Sequence, residues 1–365
     1  MAMKIQHILK QSVRHPQIAN SMFPGAVRLG DGSLLMLFVS GSGFESSDMQ
    51  VFKAFSTDEG ATWNYAGSLY DRSKLPFSVP FSDTYKPTLL ADGSLLAAGY
   101  GFLRDRPELG LSDYAEKYGC FPECRNAVLW SHDHGNTWTI PQVIEHSYAG
   151  MELSGTALLC ADGNLRFFAP PFLLKTKEQR GLVFESADNG KNWKETGTFF
   201  ASKDNVAPWE VRSIQLPSGR IVLVLWMYDL KNQKHLNTHL VYSDDNGRTW
   251  NGPLDTGLRG QASSLMLWRG QLGIVQARRE LPNPGIYLSM VKFDGDASLR
   301  VTDEACILDA AGMANAGERI EHQFLTMKFG QPSTIPLKND EYLLFFWFNN
   351  GSNYSIQVRK FRVEK

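Results

Sequence analysis

Short apolar runs recur along the chain, and each ends in a tight turn that is followed by a second apolar run. Residues 24–38 turn at Asp31-Gly32, and residues 86–98 turn at Asp92-Gly93. Asp-Gly between two apolar runs is a strong β-hairpin signal. Aligned on their turns, six such units can be recognised, the other four spanning residues 155–169, 211–226, 262–275 and 332–347.

A second repeat, Ser-x-Asp-x-Gly-x-x-Trp, occurs four times. The copies begin at Ser56, Ser131, Ser186 and Ser243, and only the third departs, with Asn192 where the others have Thr. The Asp side chain accepts backbone N–H groups within a turn, Gly adopts a positive φ, and Trp supplies an apolar anchor. Each copy is therefore predicted to be a β-hairpin tip.

The two repeats have a constant offset. The distance from the start of the apolar unit to the Ser of the second repeat is 32 positions in the first unit, 31 in the third and 32 in the fourth. Each unit is therefore predicted to form four strands. The first two are joined by the Asp-Gly turn, the middle two by a loop and the last two by the second turn, which gives a four-stranded antiparallel blade. Six blades predict an all-β, six-bladed β-propeller that spans residues 1–365 as a single domain. A two-sheet β-sandwich would not explain the constant offset.

Some segments depart from the regular unit. Units five and six lack a clear second turn, although Asp294-Gly295 reads as a remnant in unit five. Unit two carries an insert at about residues 103–125, and the only helix-like segment is at residues 113–118. Ring closure predicts that residues 4–9 pair with the last blade, whose final strand is expected at residues 355–363.

Composition narrows the function classes. The net charge of −1, with 43% hydrophobic and 21% charged residues, is typical of a globular protein and gives no reason to expect nucleic acid or a membrane as partner. Four cysteines are too few for a disulfide scaffold. Cys120 and Cys124 are close enough in sequence to bridge, whereas Cys160 and Cys306 are expected to be isolated core thiols. Neither a metal nor a cofactor is predicted, and the oligomeric state is left open.

The first thirty residues contain no signal-peptide pattern, and no apolar stretch is long enough to span a bilayer. The chain is therefore expected to be cytoplasmic, or secreted or periplasmic if a leader was removed.

The repeated turns are poor candidates for chemistry. Equivalent positions radiate around a propeller, so their Asp side chains cannot converge on one point. His132 and His134 fall in such a turn and are expected to be solvated. The residues just before each innermost strand do converge, because those strands line the central axis. They form a polar set with aromatic members that suits a sugar: Asp83, Tyr85, Lys86, Glu152, Trp209, Glu210, Gln261 and Gln331.

The second repeat is identified as the Asp-box, or BNR repeat, and nearly the whole chain resembles the sialidase superfamily. The resemblance implies a propeller with three substrate-clamping arginines, a Tyr nucleophile activated by a Glu, and an Asp acid/base. Residues 209–219 resemble the family's Glu-bearing strand and imply a catalytic role for Glu210. The loop at residues 43–48 stands where the acid/base is expected, with Asp48 ahead of Glu45. Residues 260–263 resemble the fifth-blade strand.

Three family positions are not matched. Met22-Phe23-Pro24 stands where sialidases have Arg-Ile-Pro, the second arginine falls near Trp226-Met227, and the nucleophilic Tyr falls at Gln331. Arg278 or Arg279 could act as a lone clamp, and only one can point inward because neighbours on a strand alternate.

The sequence therefore predicts a glycoside hydrolase that acts on an exo-terminal sugar, acidic sugars included, through a carboxylate pair. The predicted catalytic residues are Glu210, Asp48 and Asp83. The alternatives are a non-catalytic glycan-binding propeller, a true exo-α-sialidase and a uronic-acid lyase. The substrate-binding candidates are Glu45, Tyr85, Lys86, Glu152, Trp209, Arg212, Gln261, Arg278, Arg279, His322 and Gln331.

Overall fold

The computed structural model describes residues 2–173, 176–317 and 319–365. These residues form six antiparallel sheets, which confirms the six-bladed β-propeller predicted from the repeats. Strand β1 (Lys4–Val13) is the outer strand of the last blade and pairs with the final strand of the chain, Tyr354–Glu364, so that Lys4 lies opposite Glu364. Both ends of the chain thus share one sheet and close the ring, as predicted.

Blades one to five run from an inner strand to an outer strand in chain order, and blade six has β1 as its outer strand. Blade one contains β2 (Asn20–Arg28), β3 (Leu34–Gly41), β4 (Gln50–Ser56) and β5 (Asn64–Ser68), and blade two contains β6 (Phe81–Leu89), β7 (Leu95–Leu103), β8 (Cys124–Ser131) and β9 (Gln142–Val143). Blade three contains β10 (Leu158–Leu159), β11 (Leu165–Ala169), β12 (Gln179–Ser186) and β13 (Lys194–Ser202).

Blade four contains β14 (Val206–Gln215), β15 (Ile221–Asp229), β17 (His239–Ser243) and β18 (Asn251–Asp255), with a short extra strand β16 (Lys234–His235) paired to β15. Blade five contains β19 (Ser263–Trp268), β20 (Gln271–Arg278), β21 (Gly285–Phe293) and β22 (Leu299–Asp309). Blade six contains β23 (Phe329–Pro336), β24 (Glu341–Asn349), β25 (Tyr354–Glu364) and β1.

The four Ser-x-Asp-x-Gly-x-x-Trp segments are the turns between third and fourth strands. In the first of them, the Gly60 N–H donates to Ser56 Oγ at 2.9 Å, and Trp63 Nε1 donates to the Gly60 carbonyl at 3.2 Å. The other three turns repeat both bonds. In the third turn the Asn192 amide replaces the Thr hydroxyl and donates to Asp188 at 2.7 Å.

These turns also join neighbouring blades. A Cβ on Gly60 would lie 2.9 Å from Leu343 of blade six, and one on Gly190 would lie 2.9 Å from Leu96 of blade two. Because both glycines also have a positive φ of 85–86°, the position requires glycine for two independent reasons. The repeated turn is therefore a structural joint on the periphery. His132 and His134, in the second copy, are exposed, as predicted.

In the described part of the chain, two α-helices and a short 3-10 helix (Arg72–Lys74) interrupt the β architecture. Helix α1 (Leu111–Tyr118) lies in the insert between β7 and β8, where a helix was predicted. Helix α2 (Ile320–Thr326) precedes β23, and the expectation of a single helix-like segment was wrong on this point. Seven residues make only two helical turns, too short for a periodic apolar pattern to be distinctive. Among the described residues, no helix has the length and apolar character needed to cross a bilayer.

The cysteines differ in part from expectation. All four are free thiols, so Cys120 and Cys124 form no bridge. Cys160 is buried as predicted, but Cys306 is exposed, and its prediction as a core thiol was wrong. The reason is its place on β22, the outer strand of blade five, where alternate side chains face solvent.

Candidate active site

One cavity of about 330 Å³ opens at the hub, and all six blades contribute to its wall. The contributing side chains come from the inner strands or from the segments next to them. They include Phe23 of blade one, Thr84 and Lys86 of blade two, Glu152 of blade three, Trp209 and Glu210 of blade four, Arg279 of blade five, and Gln331 and Trp347 of blade six. The convergence expected from radial symmetry therefore brings most of the predicted polar set together.

Three of the inner strands carry the same β-bulge. Phe23, Glu210 and Gln331 have φ values of 52°, 48° and 49°, and the strand register breaks at each of them. Positive φ is uncommon for residues other than glycine, and it persists only where the surroundings hold it in place. A bulge redirects one side chain relative to the regular alternation. Here it aims three side chains, from blades one, four and six, at the shared cavity.

Glu210 lies at the centre of the polar contacts. Gln331 Nε2 donates to Glu210 Oε1 at 2.8 Å, and Arg212 Nη2 lies 3.5 Å from Oε2. The backbone N–H of Glu210 donates to Glu152 Oε2 at 3.2 Å. An amide donor and a guanidinium on its two oxygens are the surroundings that suit an anionic carboxylate.

Glu152 has the opposite character. Burial and the neighbouring charge of Glu210 raise the pKa of the Glu152 carboxyl to about 8. Two carboxyl groups that share a site cannot both ionise readily, so one of them retains its proton. The site therefore places a carboxyl group with a raised pKa, Glu152, next to a second carboxyl group, Glu210.

Lys86 is engaged in holding two blades together. Its Nζ donates to the carbonyls of Phe23 at 2.5 Å and Pro24 at 3.2 Å, so its charge is directed at the backbone of blade one. Burial and the neighbouring Arg212 lower the pKa of Lys86 to about 7.

Arg279 is the arginine that points inward, and Arg278 points away. Arg279 Nε donates to the Phe329 carbonyl at 2.7 Å, and Nη1 donates to Gln261 Oε1 at 2.9 Å. Burial lowers the pKa of Arg279 to about 10. Arg278 instead bonds Glu304 on β22, with Nη1 and Oε1 3.0 Å apart. Gln261 therefore serves as a support for Arg279.

The other predicted acids have partners of their own. Asp83 is buried against Tyr70, which donates to it, and Arg72, whose Nη2 lies 2.5 Å from Oδ1; burial raises the pKa of the Asp83 carboxyl. Asp48 is exposed and accepts from the Ser42 N–H at 3.0 Å, outside the cavity lining.

Glu45 lines the cavity and is held by helix α1. It accepts from the Ser112 N–H at 2.8 Å and from the Ser112 hydroxyl at 3.0 Å. Burial raises the pKa of the Glu45 carboxyl.

The remaining candidates occupy supporting positions. Tyr85 is buried with its ring 6.5 Å from that of Tyr70. Arg212 donates to Ser154 Oγ at 2.7 Å, which aligns it beside Glu210. Trp209 stacks on Tyr228 with ring centroids 4.6 Å apart. His322 is exposed on α2, and the neighbouring Glu321 lines the cavity in its place.

Two groups of lining residues were missed from the sequence. One is the segment 319–327 with helix α2, which lines the cavity and joins α1 through Arg319 and Glu116, 3.0 Å apart. The other is an apolar wall, and its signal was the aromatic content around the insert. That wall is made by Tyr100, Phe102, Phe121 and Phe172.

Several solved structures share this architecture. A crystal structure of a protein of unknown function from Dyadobacter fermentans aligns with a TM-score of 0.75 at 18% identity, covering 99% of each chain. The Penicillium chrysogenum α-L-arabinanase, solved with arabinobiose, aligns with a TM-score of 0.63 at 16% identity over 96% of this chain and 98% of that one.

The Trypanosoma rangeli sialidase aligns with a TM-score of 0.59 at 15% identity, over 94% of this chain and 55% of that one. These likenesses establish the fold. No match was found among curated proteins.

The repeat family is established independently of these structures. The BNR repeat-like domain matches residues 4–252, more than half of the chain. The resemblance to the sialidase superfamily is thus confirmed for the repeat and for the propeller. The chain belongs to the BNR repeat-like domain family.

Proposed function

We propose that this protein is an exo-acting glycoside hydrolase in which Glu152 and Glu210 form the reacting pair. The observation that carries the proposal is the contrast between two adjacent carboxyl groups in one closed cavity. Glu152 retains its proton to a pKa of about 8, whereas Glu210 accepts from Gln331 and faces Arg212. In glycosidases, two carboxyl groups whose surroundings give them different pKa values supply an acid and a base.

In this mechanism Glu152 donates its proton to the oxygen of the leaving group as the bond from that oxygen to the anomeric carbon breaks. Glu210 acts on the opposite side, either as nucleophile or as the base that activates water. Water finally supplies a hydroxyl to the anomeric carbon. Its proton goes to Glu152 if Glu210 is the nucleophile; if Glu210 is the base, Glu210 takes that proton and exchange with solvent restores both groups. Glu152 replaces Asp48 and Asp83 as the second carboxyl group, because Asp48 lies outside the cavity lining and Asp83 is engaged by Tyr70 and Arg72.

The shape of the cavity favours a terminal sugar. A volume of about 330 Å³ is at the lower end of the range for small-molecule sites, which is roughly 300–1,000 Å³. Helices α1 and α2 meet beside it through Arg319 and Glu116, so a polymer does not have an open channel to lie in. One sugar and its neighbour fit this space.

The charges favour a neutral sugar. Phe23 stands at the hub on one of the three bulges, where an arginine would be needed for a clamp. The inward arginine, Arg279, is engaged by Phe329 and Gln261. Of the other basic side chains in the lining, Lys86 donates to the carbonyls of Phe23 and Pro24, and Arg319 pairs with Glu116. A sialic or uronic acid would therefore compete with existing partners for these cations, and the arabinanase of the same fold was solved with arabinobiose, a neutral sugar.

A panel of neutral and acidic aryl glycosides tests the proposal. We expect release from a neutral glycoside and a 10²- to 10⁴-fold lower kcat in Glu210→Gln and Glu152→Gln, roughly the contribution of general acid–base groups. Glu108→Gln, on the exposed part of the insert, is the matched control.

Substrates whose leaving groups differ in acidity distinguish the role of Glu152 from that of Glu210. Glu152→Gln should lose least activity on 2,4-dinitrophenyl glycosides, which need little protonation, whereas Glu210→Gln should lose activity on every substrate. A wild-type protein that binds sugars without turnover on any glycoside would support the glycan-binding alternative and refute the proposal. Release from a sialoside would refute the neutral-sugar assignment.

A further inference from the structure

One side of the cavity is an aromatic wall of four residues, Tyr100, Phe102, Phe121 and Phe172. Their ring centroids lie 5.1–5.7 Å apart in five pairwise contacts. The interplanar angles run from 41° to 84°, so the rings meet by edges and tilted faces rather than in a flat stack. Tyr100 and Phe102 lie on β7, and Phe121 belongs to the insert that also carries helix α1, so the insert supplies one of the four rings.

The wall begins at the acid of the proposed pair. The Glu152 N–H donates to the Pro170 carbonyl at 2.9 Å, and the Phe172 N–H donates to the Gly150 carbonyl at 3.0 Å. The short segments 150–152 and 170–172 therefore pair with each other, and Phe172 lies opposite Gly150, two positions from Glu152. Tyr100, at the other end of the wall, lines the same cavity as both carboxyl groups, and burial with the nearby charges of Glu152 and Glu210 raises the pKa of its hydroxyl.

The position of the wall near Glu152 bears on which part of the substrate it contacts. A general acid protonates the leaving-group oxygen, so the leaving group must lie on the acid's side of the sugar. On that side the cavity offers the rings of Phe102, Phe121 and Phe172, and Tyr100 supplies its single hydroxyl. A second sugar can pack one C–H face on a ring, but the hydroxyl groups that it would aim at the other rings would be left without partners, which is costly.

We propose that the aromatic wall is a subsite for an aromatic leaving group, and that the substrate is therefore a glycoside of a phenol rather than an oligosaccharide. The inference rests on the proposed function, because it takes Glu152 as the acid. Aromatic rings favour tilted and edge-to-face contacts at centroid distances of about 4.5–7 Å, the geometry that the four side chains already adopt with one another. A phenolic ring extends that cluster.

The subsite can be tested by binding alone, without turnover. Isothermal titration would compare 2-naphthol with decahydro-2-naphthol, which has the same carbon skeleton without aromatic rings. We expect wild-type protein to bind 2-naphthol about three- to tenfold more tightly, the effect of one or two ring–ring contacts. Phe121→Leu should remove most of this preference. Phe348→Leu, half-buried on β24 against Phe346, is the matched control and should keep it.

The outcomes distinguish the subsite from the function. Preferential binding of 2-naphthol without cleavage of any glycoside would support the subsite and count against the hydrolase. Cleavage of glycosides with equal or absent binding of the two alcohols would overturn the subsite and leave the hydrolase standing. Loss of the preference in Phe348→Leu as well as in Phe121→Leu would also overturn it. The wild-type comparison stays decisive if Phe121→Leu fails to fold.

Discussion

Gln331 and Glu210 meet across the hub, with Nε2 of Gln331 donating to Oε1 of Glu210 at 2.8 Å. The two residues are 121 positions apart in the chain and belong to blades six and four. Each lies on a bulge with φ near 50°. Two separate distortions of regular strands are thus used to form one hydrogen bond, which fixes the carboxylate that we propose takes part in the reaction.

Gln331→Leu should impair catalysis more than stability. It removes a hydrogen bond to a charged group, a contact worth about 1.5–3 kcal/mol. We expect kcat/KM on the preferred aryl glycoside to fall about tenfold or more, while the melting temperature falls by only a few degrees. Gln11→Leu, on the exposed face of β1, is the control. Equal activity of the two variants would show that Gln331 does not orient Glu210.

Glu152 should set the alkaline limit of activity. Its folded pKa of about 8 lies above the ordinary value of 4.5, so the acid is protonated and active below about pH 8 and is lost above it. The same raised pKa means that its contribution to stability is fully present below about pH 4.5 and is lost as the pH rises through about 8.

The measurement is kcat/KM from pH 6 to pH 10 with a 4-nitrophenyl glycoside. Wild type should show a falling limb near pH 8, and Glu152→Gln should not. Lys86 titrates nearby, with a pKa of about 7, so the variant is needed to assign the limb. If kcat/KM of Glu152→Gln still falls near pH 8, a group other than Glu152 sets the alkaline limit.

Gly330→Ala should disturb Arg279. A Cβ at position 330 would lie 1.8 Å from Arg279 Nη2 and 2.8 Å from Trp347 Cζ2. Because Arg279 is buried and held at Phe329 and Gln261, it has little freedom to retreat. Overpacking of this kind costs about 1–3 kcal/mol, to be read from urea unfolding.

Gly30→Ala provides the control for that change, since a Cβ there would meet nothing within 4 Å. We expect the control to unfold at the wild-type urea concentration. If both alanine variants lose the same stability, close packing at Gly330 is not the cause.

Asp245→Ala should affect stability and leave catalysis intact. Hydrogen bonds from the Thr249 side chain and backbone lower the pKa of Asp245 to about 2. A pKa below the ordinary 3.8 means that the stabilisation is present above about pH 4 and is lost as the pH falls through about 2. We expect a loss of about 1 kcal/mol at pH 7, as for one or two exposed hydrogen bonds.

Thermal unfolding at pH 7 and pH 2.5 checks this, with the exposed Asp204→Ala as control. The difference between the two variants should shrink at pH 2.5. A fall in kcat/KM for Asp245→Ala that matches those of the hub variants would contradict the peripheral, structural role of the turn.

The blade plan could be predicted because its signals are local. Asp31-Gly32 and the Ser56 turn each specify a hairpin within a few residues, and their repetition at a constant offset fixes four strands for each blade. Ring closure by β1 followed from the need to remove a free sheet edge. Glu210 could be placed at the hub because the sequence predicts it just before an inner strand; in the structure it lies within that strand, β14, at the bulge.

The partners of Glu210 could be predicted only as members of a large polar set. Asp48 and Asp83 were chosen as second carboxyl groups, but Asp83 is engaged by Tyr70 and Arg72, and Asp48 caps a turn at Ser42. The sequence predicts Glu152 only as a binding residue. In the structure its pKa is raised, because burial and the neighbouring Glu210 act on it together.

The sequence by itself determined the number of blades, the strands of each blade and the axis on which they converge, because turn chemistry is encoded within a few adjacent residues. Only the tertiary structure decided which carboxyl group keeps its proton, which arginine turns inward, and that Phe121 and Phe172 share one wall. Those outcomes depend on burial, on bulges that redirect side chains, and on contacts between segments far apart in the chain, which no local pattern records.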